Sequence, residues 1–454
     1  MAITIKDFTV HDVRFPTDVY GNGTDAVNVN CDHSLAYIKI NTTGDLKGQG
    51  MTFSIGSGNE ILCFAIEKVA NRIIGMDVED IFADMAKFWN SLSQVGTQRW
   101  LGPEKGVIHM ALAAVSNAMW DMYAKSRQKP LWKLIADFTP EEFVNAMSWR
   151  YVTDTLTKKE ALEILRKGQA KKQERIANVT ALGYPAYTTS AGWLVAVRVC
   201  LCSDSLVTGY SDAKVGRLVR EALGKGFHHI KLKVGIDRDA DLRRCQMVRK
   251  IIDDPANMPE GWHVDPKAIQ GKSAGPTGCV LMVDANQSWD VDQAIDYMKH
   301  LAPAKPWFIE EPTAPDDATG HAKIRKALAP YGIKVATGEH THNRIAFKNF
   351  FELGAIDVCQ MDAVRLGGFN EVLTVLVLAA KFGVPVCPHS GAVGLMNYHV
   401  HVSLVDYVCV TGEMEQNVLE YVEFVREIWF PKIDTHQLLA ITLSMSTFTT
   451  LSDP

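Results

Sequence analysis

The stretch GFHHIKLKVG, residues 226–235, alternates like a β-strand, and its two lysines govern how the rest of the chain is read. Successive side chains of a strand point to opposite faces, so Lys231 and Lys233 share one face while Ile230, Leu232 and Val234 share the other. Two neighbouring ammonium groups repel each other, and a parallel strand in a large α/β protein is usually apolar on both faces. Something elsewhere in the chain must account for this pair of cations.

Working outward, a regular rhythm surrounds the stretch. VNAMSWRY, HIKLKV, CVLMVDAN, PWFIEEP, KVATGE, VCQMDAV and VPVCPHS read as short strands, and they alternate with helix-like segments such as DVDQAIDYMKHLA and NEVLTVLVLAAKFG. Strand–helix alternation over about 250 residues is the pattern of a (β/α)-barrel. Before residue 140 the pattern changes. Ile3–Arg14 and Leu35–Asn41 alternate like strands, and GVIHMALAAVSNAMWDMYAKSRQKPLWKLI carries apolar residues at helical spacing. The expected organisation is therefore α/β: an α+β domain over residues 1–140, a barrel over 141–430 and an atypical tail over 431–454.

Composition narrows the function classes. The chain has 454 residues, 47% hydrophobic and 22% charged, which suits two globular domains. A net charge of -5 gives no basic patch for a nucleic-acid partner. The nine cysteines are odd in number and scattered, which favours a reduced, cytoplasmic chain over a disulfide framework. No stretch reaches the roughly 18 apolar residues of a membrane span, and the N-terminus has no signal-peptide core.

The last polar residues of successive strand runs are Lys231 and Lys233, then Asp284 with Asn286, Glu310, Glu339, Asp362 and His389. In a barrel the active site lies at the C-terminal ends of the strands, so these groups converge. Three convergent carboxylates (Asp284, Glu310 and Glu339) repel unless a cation sits between them, and an all-oxygen set suits Mg²⁺ better than zinc. Singly, each residue has a structural explanation: an Asp at a strand end caps a helix, a lone His satisfies a core, and strand lysines snorkel. Their strand-by-strand series does not.

These residues resemble the enolase superfamily in its mandelate racemase-like branch. KLK is similar to the Lys-x-Lys motif of that branch, Asp284, Glu310 and Glu339 to its metal ligands, and Asp362 with His389 to its dyad. HDVRFPT, MTFSIGSGNE, RWLGPEKGVIH, GYPAYTTSAGW, IEEPTAPDD, ATGEHTHNR, RLGGFNEVL and KFGVPVCPHSG resemble the L-fuconate and L-galactonate dehydratases within it. The resemblance implies a (β/α)7β modified TIM barrel with an N-terminal capping domain, a Mg²⁺ cofactor, a homo-oligomer, and loss of water from a small sugar acid, with L-fuconate slightly favoured. It also implies roles. Lys233 is the base and Lys231 depresses its pKa while touching substrate; His389, oriented by Asp362, is the acid. Asn286, Glu420, Asp25 and the Thr52–Gly58 loop contact substrate or close the site. A racemase or cycloisomerase of the same superfamily, or a non-catalytic scaffold barrel, are the other readings.

Three segments depart from the resemblance. Residues 195–208 are an apolar, β-branched insertion, residues 262–278 read as a surface loop rich in turn formers, and the end of the chain lacks the expected Pro- and Gly-containing tail. His33 also stands where relatives carry Tyr.

Overall fold

The computed structural model describes residues 2–17, 23–28, 32–197 and 206–423. It begins with an antiparallel meander of β1 (Ile5–Phe15), β2 (His33–Thr42) and β3 (Lys47–Ile55). β1 and β2 fall where alternation places them. β3 has no counterpart among the expected strands, because Gly48 and Gly50 read as turn formers. Their real purpose is close approach. The helix Gly106–Ser126 crosses this strand, and a Cβ on Gly48 or Gly50 would lie 2.2 Å from the Ala118 carbonyl oxygen or 2.0 Å from that of Ala114. Only glycine lets helix and strand touch backbone to backbone.

VNAMSWRY is not a strand. Thr139 caps the helix Pro140–Ala146 with a full capping box to Glu142 and with proline in its first turn, and that start signal outweighs a short apolar run. Two more helices, Lys158–Gln169 and Lys172–Leu182, precede the first barrel strand.

The remaining strands are β4 (Ala186–Thr188), the pair β5 (Leu194–Val197) and β6 (Leu206–Gly209), β7 (His229–Lys233), β8 (Val280–Asp284), β9 (Phe308–Glu310), β10 (Lys334–Thr337), β11 (Val358–Cys359) and β12 (Leu419–Tyr421). Seven of them form one parallel sheet in the order β11-β10-β9-β8-β7-β4-β12. VPVCPHS adds a single parallel bridge, Val386 to Cys359, rather than a strand. Pro385 and Pro388 remove the amide donors that a longer ladder needs. Val386 N donates to Asn417 Oδ1 at 3.1 Å and Cys387 N to the Cys359 carbonyl at 2.9 Å, so this segment fills the gap between β11 and β12 and closes the barrel. The helix Phe369–Phe382 is buried on all sides through Ala379, because it lies between the barrel and the N-terminal layer. Among the described residues no helix is long and apolar enough to cross a membrane, and Cys63, Cys245, Cys279, Cys359, Cys387 and Cys409 are free thiols.

The two insertions differ. Residues 262–278 are not a surface loop. Ile269 and Ala274 pack on the core cluster that contains Trp307, Phe308 and Val358. Lys272 is fully buried, with its ammonium 4.4 Å from the Trp307 ring and donating to the Glu415 carbonyl at 3.0 Å. His229, at the first residue of β7, is its other neighbour at 3.4 Å. The segment therefore covers the N-terminal end of the barrel, opposite the catalytic rim, and its polar turn composition conceals a few buried anchors.

Of residues 195–208, 198–205 lie outside the described residues, as does the atypical tail 431–454. The flanks pair as an antiparallel hairpin from Leu194↔Gly209 to Val197↔Leu206. Its base is held by the chain on either side, with Tyr210 N donating to the Trp193 carbonyl at 3.3 Å. Loop length adds only about 0.6 kcal/mol per doubling to closure entropy. Deleting 195–208 is therefore expected to leave the thermal transition intact and to raise soluble yield. Loss of the transition would show the hairpin to be integral to the fold.

Candidate active site

β7 is buried at every position, and its two lysines find carboxylates from other strands of the sheet. Lys231 Nζ lies 2.6 Å from Glu310 Oε2, 2.9 Å from Glu420 Oε1 and 3.4 Å from Asp284 Oδ2. Lys233 Nζ lies 2.5 Å from Asp284 Oδ2 and 2.9 Å from Asn286 Oδ1. This accounts for the paired cations: β8, β9 and β12 each bring a carboxylate to Lys231, and β8 brings one to Lys233. Burial works against the Lys233 ammonium, but Asp284 outweighs burial and Lys231, so these side chains by themselves set its pKa above the ordinary lysine value. Lys231 is likewise raised, by Glu310 and Glu420 against burial.

The three expected ligands converge. Oxygen atoms of Asp284, Glu310 and Glu339 lie within 4.8 Å of one another, all buried. β8 and β9 end in register, Asp284 beside Glu310, which sets two of them side by side. The chain then turns abruptly, with Asn286 at φ 45° and Glu311 at φ 44°, conformations that non-glycine residues rarely adopt. Strain of this kind clusters at functional sites. Burial and neighbouring carboxylates push the pKa values of Glu310 and Glu339 up. Asp284 is held down, since Lys233 and Lys231 overcome its burial. The residues fit a metal on a direct observation: Glu310 Oε1 is buried and has no hydrogen-bond partner among the described residues. An orphaned carboxylate oxygen facing two other carboxylates, in an all-oxygen set, suits a hard cation such as Mg²⁺.

Across the cluster, His389 Nδ1 lies 3.0 Å from Asp362 Oδ2, and His389 Nε2 lies 3.5 Å from Glu339 Oε2. Burial disfavours the imidazolium, but Glu339 and Asp362 outweigh it and raise the His389 pKa to about 10. Val364 N fixes Asp362 at 2.8 Å. Behind the pair, His399 accepts from Ala363 N at 3.0 Å and meets Ser390 Oγ at 3.2 Å, joining the loops that carry Asp362 and His389.

The remaining expected contacts are placed as follows. Asn286 binds Lys233. Glu420 is a buried counter-ion: its oxygens meet Lys231, Thr189 Oγ1 at 2.5 Å and Ser390 N at 2.8 Å. Asp25 accepts from Val27 N and Asn28 N at 2.8 and 2.6 Å and so shapes its own loop. That loop sits on the end of β7, because a Cβ on Gly235, at φ 123°, would lie 3.1 Å from the Ala26 Cβ. The expected Thr52–Gly58 loop is strand β3 up to Ile55, and there Thr52 Oγ1 donates to the Val364 carbonyl at 3.0 Å and the Phe53 ring centroid is 6.4 Å from that of His389. His33 is buried with Nδ1 3.1 Å from Thr17 Oγ1.

Two groups escaped the reading of the sequence. Gln360 Nε2 donates to Glu310 Oε2 at 2.6 Å, and Gln287 Nε2 donates to both Glu311 oxygens at 2.9 Å. His340 Nδ1 adds a contact to Glu311 Oε1 at 3.1 Å. Neutral amides two or three residues from a carboxylate give no charge pattern. Their only signal is position, Gln360 standing two residues before Asp362.

Comparison with known proteins bears on this geometry. Residues 214–439 match the family described as Enolase C-terminal domain-like, and residues 23–136 match the Mandelate racemase / muconate lactonizing enzyme, N-terminal domain. The chain is 48% identical over 426 residues to L-galactonate dehydratase of Hypocrea jecorina, covering 94% of this chain and 86% of that one. It is 44% identical over 425 residues to Mitochondrial enolase superfamily member 1 of Homo sapiens, covering 93% and 88%. The crystal structure of that human protein superposes with a TM-score of 0.83, covering 93% of this chain and 88% of that chain. L-talarate/galactarate dehydratase from Salmonella typhimurium LT2, in a crystal structure liganded with Mg and L-lyxarohydroxamate, shares the fold at 22% identity and TM-score 0.63, covering 94% and 85%.

Proposed function

The chain belongs to the enolase superfamily, in its mandelate racemase-like branch, and on that footing we propose that it is a Mg²⁺-dependent sugar-acid dehydratase. The observation that carries the reading is the placement of Lys233 and the His389–Asp362 pair at opposite ends of the three-carboxylate cluster: Lys233 touches Asp284, and His389 faces Glu339. A substrate carboxylate over the cluster would present its α-carbon to one group and its 3-hydroxyl to the other.

Asp284, Glu310 and Glu339 would hold the ion, which would supply Lewis-acid stabilisation of a carboxylate losing its α-proton and would offset the negative charge that fastens the Lys233 proton. The chain's own residues do the rest. Neutral Lys233 takes the C2 proton. His389, as the imidazolium paired with Asp362, gives its Nε2 proton to the departing 3-hydroxyl, which leaves as water. The enol left behind becomes a 2-keto-3-deoxy acid. Asp362 keeps the imidazole oriented, and Lys231 with Glu420 fills the floor with fixed charge.

For the acid itself we propose L-fuconate and L-galactonate, which differ only at C6, methyl against hydroxymethyl. The relative named L-galactonate dehydratase supports the second acid directly. An apolar pocket discriminates against one added hydroxyl by only about 100-fold, so both acids should be consumed. The test is incubation with each acid and Mg²⁺, followed by detection of 2-keto-3-deoxy product as its semicarbazone. A kcat/KM ratio beyond roughly 10⁴ in either direction would reveal a dedicated hydrogen-bonding site for C6 and overturn this dual assignment. Turnover of neither acid would overturn the reading.

A further inference from the structure

The Glu310 carboxylate is held unevenly. Its Oε2 accepts two charge-assisted hydrogen bonds, from Lys231 Nζ at 2.6 Å and from Gln360 Nε2 at 2.6 Å. Its Oε1 is buried and accepts none among the described residues. A carboxylate oxygen only accepts, so the amide face turned to it is the NH₂. Gln360 and Lys231 are both fully buried, and they reach Oε2 from different parts of the sheet, Gln360 from the residue after β11 and Lys231 from β7. Two donors on one oxygen prevent the carboxylate from rotating about its Cγ–Cδ bond and leave a single oxygen for anything placed among Asp284, Glu310 and Glu339.

We propose that Gln360 is a positioning residue that, with Lys231, reserves Glu310 Oε2 and so makes Glu310 a one-oxygen ligand, selecting Mg²⁺ over Ca²⁺. The inference rests on the metal-dependent reading above and extends it to a residue outside the ligand set. The physical reason lies in coordination. Mg²⁺ takes near-ideal octahedral geometry at short distance, whereas Ca²⁺ accepts six to eight oxygens and readily takes both oxygens of a carboxylate. With Oε2 engaged, two-oxygen ligation by Glu310 requires breaking two buried hydrogen bonds. Without Gln360, Lys231 alone holds Oε2, and it also serves Glu420 and Asp284. Glu310 then becomes free to turn.

The experiment is calorimetric titration of the full chain with Mg²⁺ and with Ca²⁺, for the wild type, Gln360→Leu and Gln360→Met. Methionine keeps the length and flexibility of the side chain and serves if leucine prevents folding; circular dichroism checks each variant. Loss of a residue that orients a metal ligand typically costs 10- to 100-fold in affinity. The expected result is a Mg²⁺ dissociation constant raised by about that factor, with Ca²⁺ weakened much less, so that the Mg²⁺/Ca²⁺ preference narrows. Unchanged Mg²⁺ affinity in a folded variant overturns the proposal. Equal weakening of both ions also overturns it, since that would mean Gln360 only packs. A wild type that binds no Mg²⁺ would sink the metal-dependent reading itself, and this inference with it.

Discussion

Lys233→Met is expected to abolish both dehydration and the exchange of the substrate C2 proton with D₂O, while His389→Asn blocks dehydration and leaves exchange. The two groups stand at opposite ends of the carboxylate cluster, each with its own anchor, Asp284 for Lys233 and Asp362 for His389. Methionine matches lysine in length but has no proton to move. A positioned general base contributes on the order of 10²–10⁴ in rate, and a base with no substitute nearby gives the upper end. Asparagine at 389 keeps a polar side chain but cannot donate a proton to the leaving hydroxyl. Proton loss and water loss thereby become separable in one protein, by NMR of the C2 hydrogen and by product assay. If Lys233→Met still exchanged the proton at the normal rate, the base would lie elsewhere. If His389→Asn lost exchange as well, the histidine would take part in proton abstraction and the two roles would have to be reassigned.

Arg344→Met is expected to lower stability by about 3–5 kcal/mol, the usual cost of removing one partner from a buried ion pair. Arg344 is fully buried where the N-terminal layer meets the barrel. Its Nη1 donates to Glu371 Oε1 at 2.7 Å, its Nη2 lies 3.3 Å from both oxygens of Glu104, and its Nε donates to the Arg150 carbonyl at 2.8 Å. Glu371 is the hub of this network. It also accepts from Gly367 N at 2.7 Å and meets His109 Nε2 at 2.8 Å. Without the guanidinium, Glu104 and Glu371 keep buried charge with too few partners. Burial raises the Glu371 pKa, but His109 and Arg344 outweigh burial, and the folded value lies well below the ordinary carboxylate range. For a depressed carboxylate, the stabilisation is present above the unfolded pKa of about 4.3 and is lost as pH falls through the folded value. Urea unfolding at neutral pH checks the magnitude. A cost under about 1 kcal/mol, the range of exposed pairs, would show that Arg344 does not tie the two layers together.

Neither Arg344 nor Glu371 stood out in the sequence, although Lys231, Lys233, Asp284, Glu310, Glu339, Asp362 and His389 did. The difference is geometric. The groups proposed for catalysis sit at or just past strand ends, and strand ends recur with the βα rhythm, so a one-dimensional pattern places them on one rim. Glu104, His109, Arg344 and Glu371 come from a loop and three helices, with sequence separations that no period connects. The same limit applies to β3, where two glycines look like a turn until a helix is laid across them. It applies to Pro140–Ala146, where a capping box decides against a strand. Residues 262–278 repeat the lesson, since turn-forming composition does not disclose that Lys272 lies beneath the Trp307 ring.

The sequence by itself determined the barrel strands, the three carboxylates and the positions of Lys233 and the Asp362–His389 pair, because hydrophobic period and strand-end polarity are local properties of the chain. Only the tertiary structure decided which carboxylates meet each lysine and that Gln360 reaches Glu310. Lys231 meets Asp284, Glu310 and Glu420 and Lys233 meets Asp284, so these side chains raise their pKa values where crowding of the two ammonium groups alone would lower them. Gln360 acquires its role from one oxygen of Glu310. Both effects depend on distances of about 3 Å between residues 50 or more positions apart, over which Coulomb energies and hydrogen bonds act through space and not along the chain.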